Sequence, residues 1–197
     1  MKKSKRVEDL LATNNGVLRA SDTNGRAISR THLSELHNEG VLERVARGIY
    51  TDAEKFEDEM QTLQIRYPKA VYSHDTALFL HGMCDRSPLR FSVTVMSGYH
   101  SAGLKQTGAK IYYIKKELYG EGLTTVPSLH GNELIVYDIE RTICDIVRSR
   151  SKIDEQIFFD GLKMYASSPK KDLSKLARYA ANYGIEKIMR NYLEVLL

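Results

Sequence analysis

The chain has 197 residues, 42% of them hydrophobic and 27% charged, which suits one medium or two small soluble domains with a real hydrophobic core. No apolar run approaches the roughly 18 residues of a membrane helix, and the basic N-terminus lacks the apolar stretch of a signal peptide. Two cysteines, Cys84 and Cys144, are too few for a disulfide framework, so a cytoplasmic location is expected.

The net charge of +4 is unevenly spread. Residues 1–51 hold nine basic and six acidic side chains, the stretch DAEKFEDE at 52–59 holds five acids and one lysine, and residues 146–190 hold ten bases against five acids. Basic ends around an acidic joint point to two domains, divided here as 1–52 and 53–197, and to a polyanion partner, although solvated surface would look the same.

Val7, Leu10 and Leu11 repeat at helical spacing and predict a first helix over about 4–12, stopped by Asn14, Asn15 and Gly16. Leu18 and Ala20 lead into a short second helix, opened by Ser21 and closed near Asn24 and Gly25, with Arg26 in the turn after it. The third helix is better marked. Ser29 can cap it, Leu33 and Leu36 point inward, and Gly40 closes it. Its outward face carries Thr31, Ser34, Glu35 and Asn38, with Arg30 at its edge.

RVARGIY at 44–50 then reads as a hairpin: a strand over 41–45, a three-residue turn at Ala46, Arg47 and Gly48, and a return strand over 49–51. Three helices with such a hairpin make a winged helix-turn-helix. In that geometry the third helix enters the major groove and the hairpin lies on the adjoining backbone or minor groove. The candidate DNA contacts are therefore Arg26, Arg30, Thr31, Ser34, Arg44 and Arg47. A winged helix used only to bind protein has the same pattern.

The rest reads as mixed α and β. A helix is predicted over 52–67 from Phe56, Met60, Leu63 and Tyr67, then a strand over 69–73 and a helix over 74–83. RFSVTVM at 90–96, KIYYI at 110–114 and ELIVY at 133–137 read as strands, and Asp138 caps the helix after the last. Three helices end the chain. On the second of them Lys171, Lys175 and Arg178 form a basic stripe, a candidate second phosphate or acidic-partner site, though such stripes usually face water. The fold class is thus α+β: a winged helix-turn-helix followed by a mixed α/β domain ending in a helical bundle.

Signs of an active site fall short. The loop from Gly98 to Gly103 follows a strand, but Leu104 stands where a phosphate-loop lysine is needed. Ser73, His74 and Asp75 contain the triad residue types, but neighbours in sequence should point apart. His81 and Cys84 lack a second ligand pair. Glu133, Asp138, Glu140 and Asp145 read as a helix cap and solvated acids, with no Glu-x-Lys triplet to complete a nuclease. No catalytic residue, metal or cofactor is called for.

The run GVLRASDTNGRAISRTHLSELHNEGVLERVARGIY resembles the N-terminal domain of AbiEi-type antitoxins, and YSHDTALFLHGM and VYDIERTICDIV resemble the C-terminal domain of that family. The resemblance implies the antitoxin of a bacterial type IV toxin–antitoxin pair tied to abortive phage infection. Such a protein represses its own operon through the winged helix at inverted repeats in double-stranded operator DNA. Its C-terminal domain counters a nucleotidyltransferase-like toxin without a stable complex. By position, Arg30, Thr31 and Ser34 on the third helix and Arg44 and Arg47 on the wing would contact the operator. The alternatives are a winged-helix-guided nuclease or nucleotide-handling enzyme, and a winged-helix adaptor that binds only protein.

Overall fold

The structure is a computed structural model that describes residues 5–14, 16–20, 28–53 and 58–196. The chain forms two compact units, 1–66 and 67–197.

In the first unit, α1 (Lys5–Thr13) buries Val7, Leu10 and Leu11, as their spacing predicts. The strand β1 (Val17–Arg19) follows, where the sequence suggested only a lead into a helix. The expected second helix and Arg26 lie outside the described residues. Next come α2 (Arg30–Asn38), β2 (Leu42–Ala46) and β3 (Ile49–Asp52). The three strands form an antiparallel sheet in the order β1-β3-β2. Leu18, Leu33, Leu36, Leu42 and Tyr50 join the α1 residues and Ile28 in one core. This is the winged helix-turn-helix frame, with β2 and β3 as the wing.

The first unit reaches beyond residue 52, because α3 (Glu59–Arg66) belongs to it. Asp58 Oδ1 caps α3 by accepting from Met60 N and Gln61 N. Arg66 Nε donates to Val45 O at 2.6 Å, which ties α3 to the wing.

The second unit is built on a five-stranded sheet in the order β6-β5-β4-β8-β7. In chain order its elements are β4 (Val71–Tyr72), α4 (His74–Leu80), β5 (Ser92–Met96), α5 (Ala102–Gln106), β6 (Lys110–Ile114), α6 (Lys116–Tyr119), β7 (Leu123–Pro127) and β8 (Glu133–Tyr137). The helices α7 (Ile139–Arg148), α8 (Glu155–Ser167), α9 (Leu173–Asn182) and α10 (Glu186–Leu196) close the chain. The pairs β5–β6 and β4–β8 are parallel, whereas β4–β5 and β7–β8 are antiparallel.

Asp138 caps α7 by accepting from Arg141 N at 2.9 Å. That helix is buried from Glu140 to Val147, enclosed by α4, α8, α9 and α10. Its aliphatic side chains form the centre of the core with Leu78, Phe158, Leu162, Leu176 and Met189. No described helix is long and apolar enough to cross a membrane.

Enclosing α7 buries three charged side chains. The acids expected to be solvated include Asp145, which is 0% exposed, and Glu140, which is 6% exposed. Asp145 Oδ2 accepts from Arg141 Nε at 3.1 Å, and both side chains are fully buried. Arg141 Nη1 donates to Leu118 O and Glu121 O at 2.9 and 2.7 Å, and its guanidinium lies between the rings of Tyr137 and Tyr183. Gly122 lets this loop close on α7. Its φ is +78°, and a Cβ there would stand 2.7 Å from Arg141 Cβ.

Candidate nucleic-acid interface

The helix α2 is set by its ends. Ser29 accepts from His32 N at 3.0 Å, and Val41 N donates back to Leu36 O at 2.9 Å. Leu33 and Leu36 anchor one side in the core, which leaves Arg30, Thr31, Ser34, Glu35 and Asn38 exposed on the other.

The wing is bent by a β-bulge between Arg44 and Ala46. The extra residue, Val45, is buried, and Arg44 and Arg47 on either side of it are exposed. The turn is shorter than expected, because Ala46 already pairs with Ile49 and only Arg47 and Gly48 bridge the strands. Gly48 has φ +72°, the left-handed conformation that the end of this turn demands.

Between α2 and the wing lies an open cleft of about 540 Å³. Leu33, Ile49 and Tyr50 contribute apolar lining, and Arg19, Arg30, Ser34, Arg44 and Arg47 supply its polar groups. Four arginines therefore line one groove, with no carboxylate among its described lining residues. Of the residues singled out in the sequence, Arg30, Ser34, Arg44 and Arg47 meet here. Thr31 sits on the outer face of α2 instead, one turn from Glu35.

Sequence reasoning missed Arg19. It enters the cleft because β1 pairs with β3, which puts Arg19 opposite Ile49. A three-residue strand has too little periodicity to announce itself.

The other candidates are placed differently. Lys175 does not stand on a free basic stripe, because its Nζ pairs with Asp138 Oδ2 at 3.0 Å and Glu140 Oε2 at 3.2 Å. The buried Glu140 needs that cation. Lys171 is half-buried and donates to Ser168 O, and Arg178 packs beside the Tyr179 ring. His81 Nε2 meets Tyr137 O at 2.7 Å. Among the described residues no three His, Cys, Asp or Glu side chains are grouped to hold a metal.

Ser73 and His74 do touch, contrary to expectation. His74 has φ +53°, which turns its Nδ1 to 2.9 Å from Ser73 Oγ. Ser73 and His74 are both 0% exposed, so the hydroxyl cannot meet a substrate. His74 Nε2 contacts Ser149 Oγ at 3.1 Å, and the ring stacks on Tyr112 with centroids 3.4 Å apart. Burial holds the His74 pKa well below 6.5, and the nearby cations Arg148, Lys110, Arg141 and Lys152 push it the same way.

The folded protein therefore keeps His74 neutral while the unfolded chain takes up a proton near pH 6.5. Stability contributed by the neutral ring is intact above that pH and falls as pH drops below it. The slope approaches about 1.4 kcal/mol per pH unit for one proton. Urea melts at pH 7.0 and 5.5 should show this loss in the wild type and a shallower one in His74→Asn, since asparagine tolerates the left-handed backbone.

The first unit is a winged helix-turn-helix module with a cationic cleft between α2 and the wing. Residues 5–51 match the family of transcriptional regulators described as AbiEi antitoxins, which agrees with the resemblance carried by the sequence. Across the whole fold, a crystal structure of the RV2827C protein from Mycobacterium tuberculosis is similar, with a TM-score of 0.63 and 15% identity over 96% of this chain and 80% of that one. At that identity the likeness is one of fold. A comparison with the sequences of characterised proteins finds no match.

Proposed function

We propose that this chain is the antitoxin of a type IV toxin–antitoxin pair, binding double-stranded operator DNA at inverted repeats and repressing its own operon. Residues 1–66 carry the DNA-binding role. Residues 67–197 counter a nucleotidyltransferase-like toxin in the cytoplasm, without a stable complex, cofactor or catalytic step. The observation that supports this most is the convergence of Arg19, Arg30, Arg44 and Arg47 on one cleft beside the exposed face of α2. Phosphate contacts made by such a cleft orient a recognition helix on the duplex. A hydrolytic reading has less support, because the serine and histidine that touch are sealed in the core.

A gel-shift titration on the DNA upstream of the gene tests the binding role. Arg44→Ala with Arg47→Ala should weaken binding roughly 10- to 100-fold on every duplex, because wing contacts go to the backbone. Unchanged affinity in the double variant would remove the cleft from the interface. Expressing residues 67–197 with the neighbouring toxin and scoring growth tests the second role.

A further inference from the structure

The exposed face of α2 carries one group that a phosphate-binding surface should avoid. Glu35 lies among Thr31, Ser34 and Asn38 with 60% of its side chain exposed. Among the described residues its carboxylate meets only His32, whose Nδ1 lies 3.4 Å from Glu35 Oε2. An exposed pair of this kind contributes little to folding. The fold therefore does not require a carboxylate here, and near phosphates it opposes binding.

A carboxylate can only accept hydrogen bonds. In the major groove the donors are the amino groups of cytosine and adenine, and guanine and thymine present acceptors. Adenine sets its N7 lone pair beside the amino group, which repels the second carboxylate oxygen, whereas cytosine sets a C–H there. We infer that Glu35 is a specificity-determining residue that selects cytosine at one position of each half-site, and that His32 is a positioning residue that holds its carboxylate. The inference rests on the proposed DNA-binding role and names the base that role would read.

Selection of a randomised duplex pool by the full-length wild type, Glu35→Gln, Glu35→Ala and His32→Ala tests it. The wild type should enrich a core with one position where cytosine is favoured about tenfold. Glu35→Gln should move that position to adenine, whose N6 and N7 an amide matches. Glu35→Ala should abolish the preference there and bind unrelated duplex several-fold more tightly. His32→Ala should keep cytosine but favour it less. Identical cores from wild type and both Glu35 variants would overturn the assignment while leaving DNA binding intact. A wild type that binds no duplex would overturn the assignment and the DNA-binding role together.

Discussion

Replacing Asp145 with alanine should destabilise residues 67–197 by about 3–5 kcal/mol, among the largest losses any single substitution in this chain should produce. Both partners of the Arg141–Asp145 pair are 0% exposed, and arginine cannot shed its proton to escape burial. Without the carboxylate the Arg141 guanidinium retains two backbone carbonyls and two aromatic faces, but no neutralising charge next to Nε. Arg148 would lose a partner too, since its Nη2 stands 3.6 Å from Asp145 Oδ1. Urea unfolding followed by far-UV circular dichroism measures the loss. Asp145→Asn, which keeps an acceptor, should lose less. Arg141→Met combined with Asp145→Leu should recover much of the difference, because an apolar pair needs no desolvated charge. If Asp145→Ala melts with the wild type, the pair does not hold α7 in place.

That pair also marks how far the sequence could be read. Glu140, Arg141 and Asp145 look like the solvent side of an amphipathic helix, and Ile143, Ile146 and Val147 supply a convincing apolar side. The helix is nevertheless covered on every side, and only tertiary packing reveals that. Lys175 misleads in the same way: its spacing from Lys171 and Arg178 predicts a stripe, and its true partners are the cap and the first turn of α7. The helices α5 and α6, at five and four residues, are too short to show a helical period, and β7 offers only Leu123 and Val126 as apolar residues before it ends at Pro127. The winged helix was more legible because local chemistry marks it: the Ser29 cap, the paired leucines of α2 and the glycine of the wing. The cleft itself was only partly visible, since Arg19 reaches it through a strand pairing that no local pattern announces.

The affinity of this cleft for duplex DNA should fall steeply with salt. Each phosphate neutralised releases condensed counterions, and log K then falls against log salt with a slope of about −0.9 per contact. The four arginines that line the cleft would together give about −3.6, or roughly a 150-fold loss of affinity between 50 and 200 mM salt. Cations elsewhere can only steepen that line, so the informative quantity is the difference between proteins. Removing Arg44 and Arg47 should flatten the slope by about 1.8 and shrink the loss due to the cleft to roughly 12-fold. Removing Lys171 and Arg178 should leave the slope unchanged, because neither belongs to the cleft. Fluorescence anisotropy with a labelled duplex at four salt concentrations measures all three lines. Equal slopes for the wild type and the wing variant would mean that the guanidinium groups of the hairpin never reach a phosphate, whatever their affinity effects. A flattening of about two contacts in the wing variant, with the second-unit variant parallel to the wild type, would assign the ionic contact to α2 and the wing.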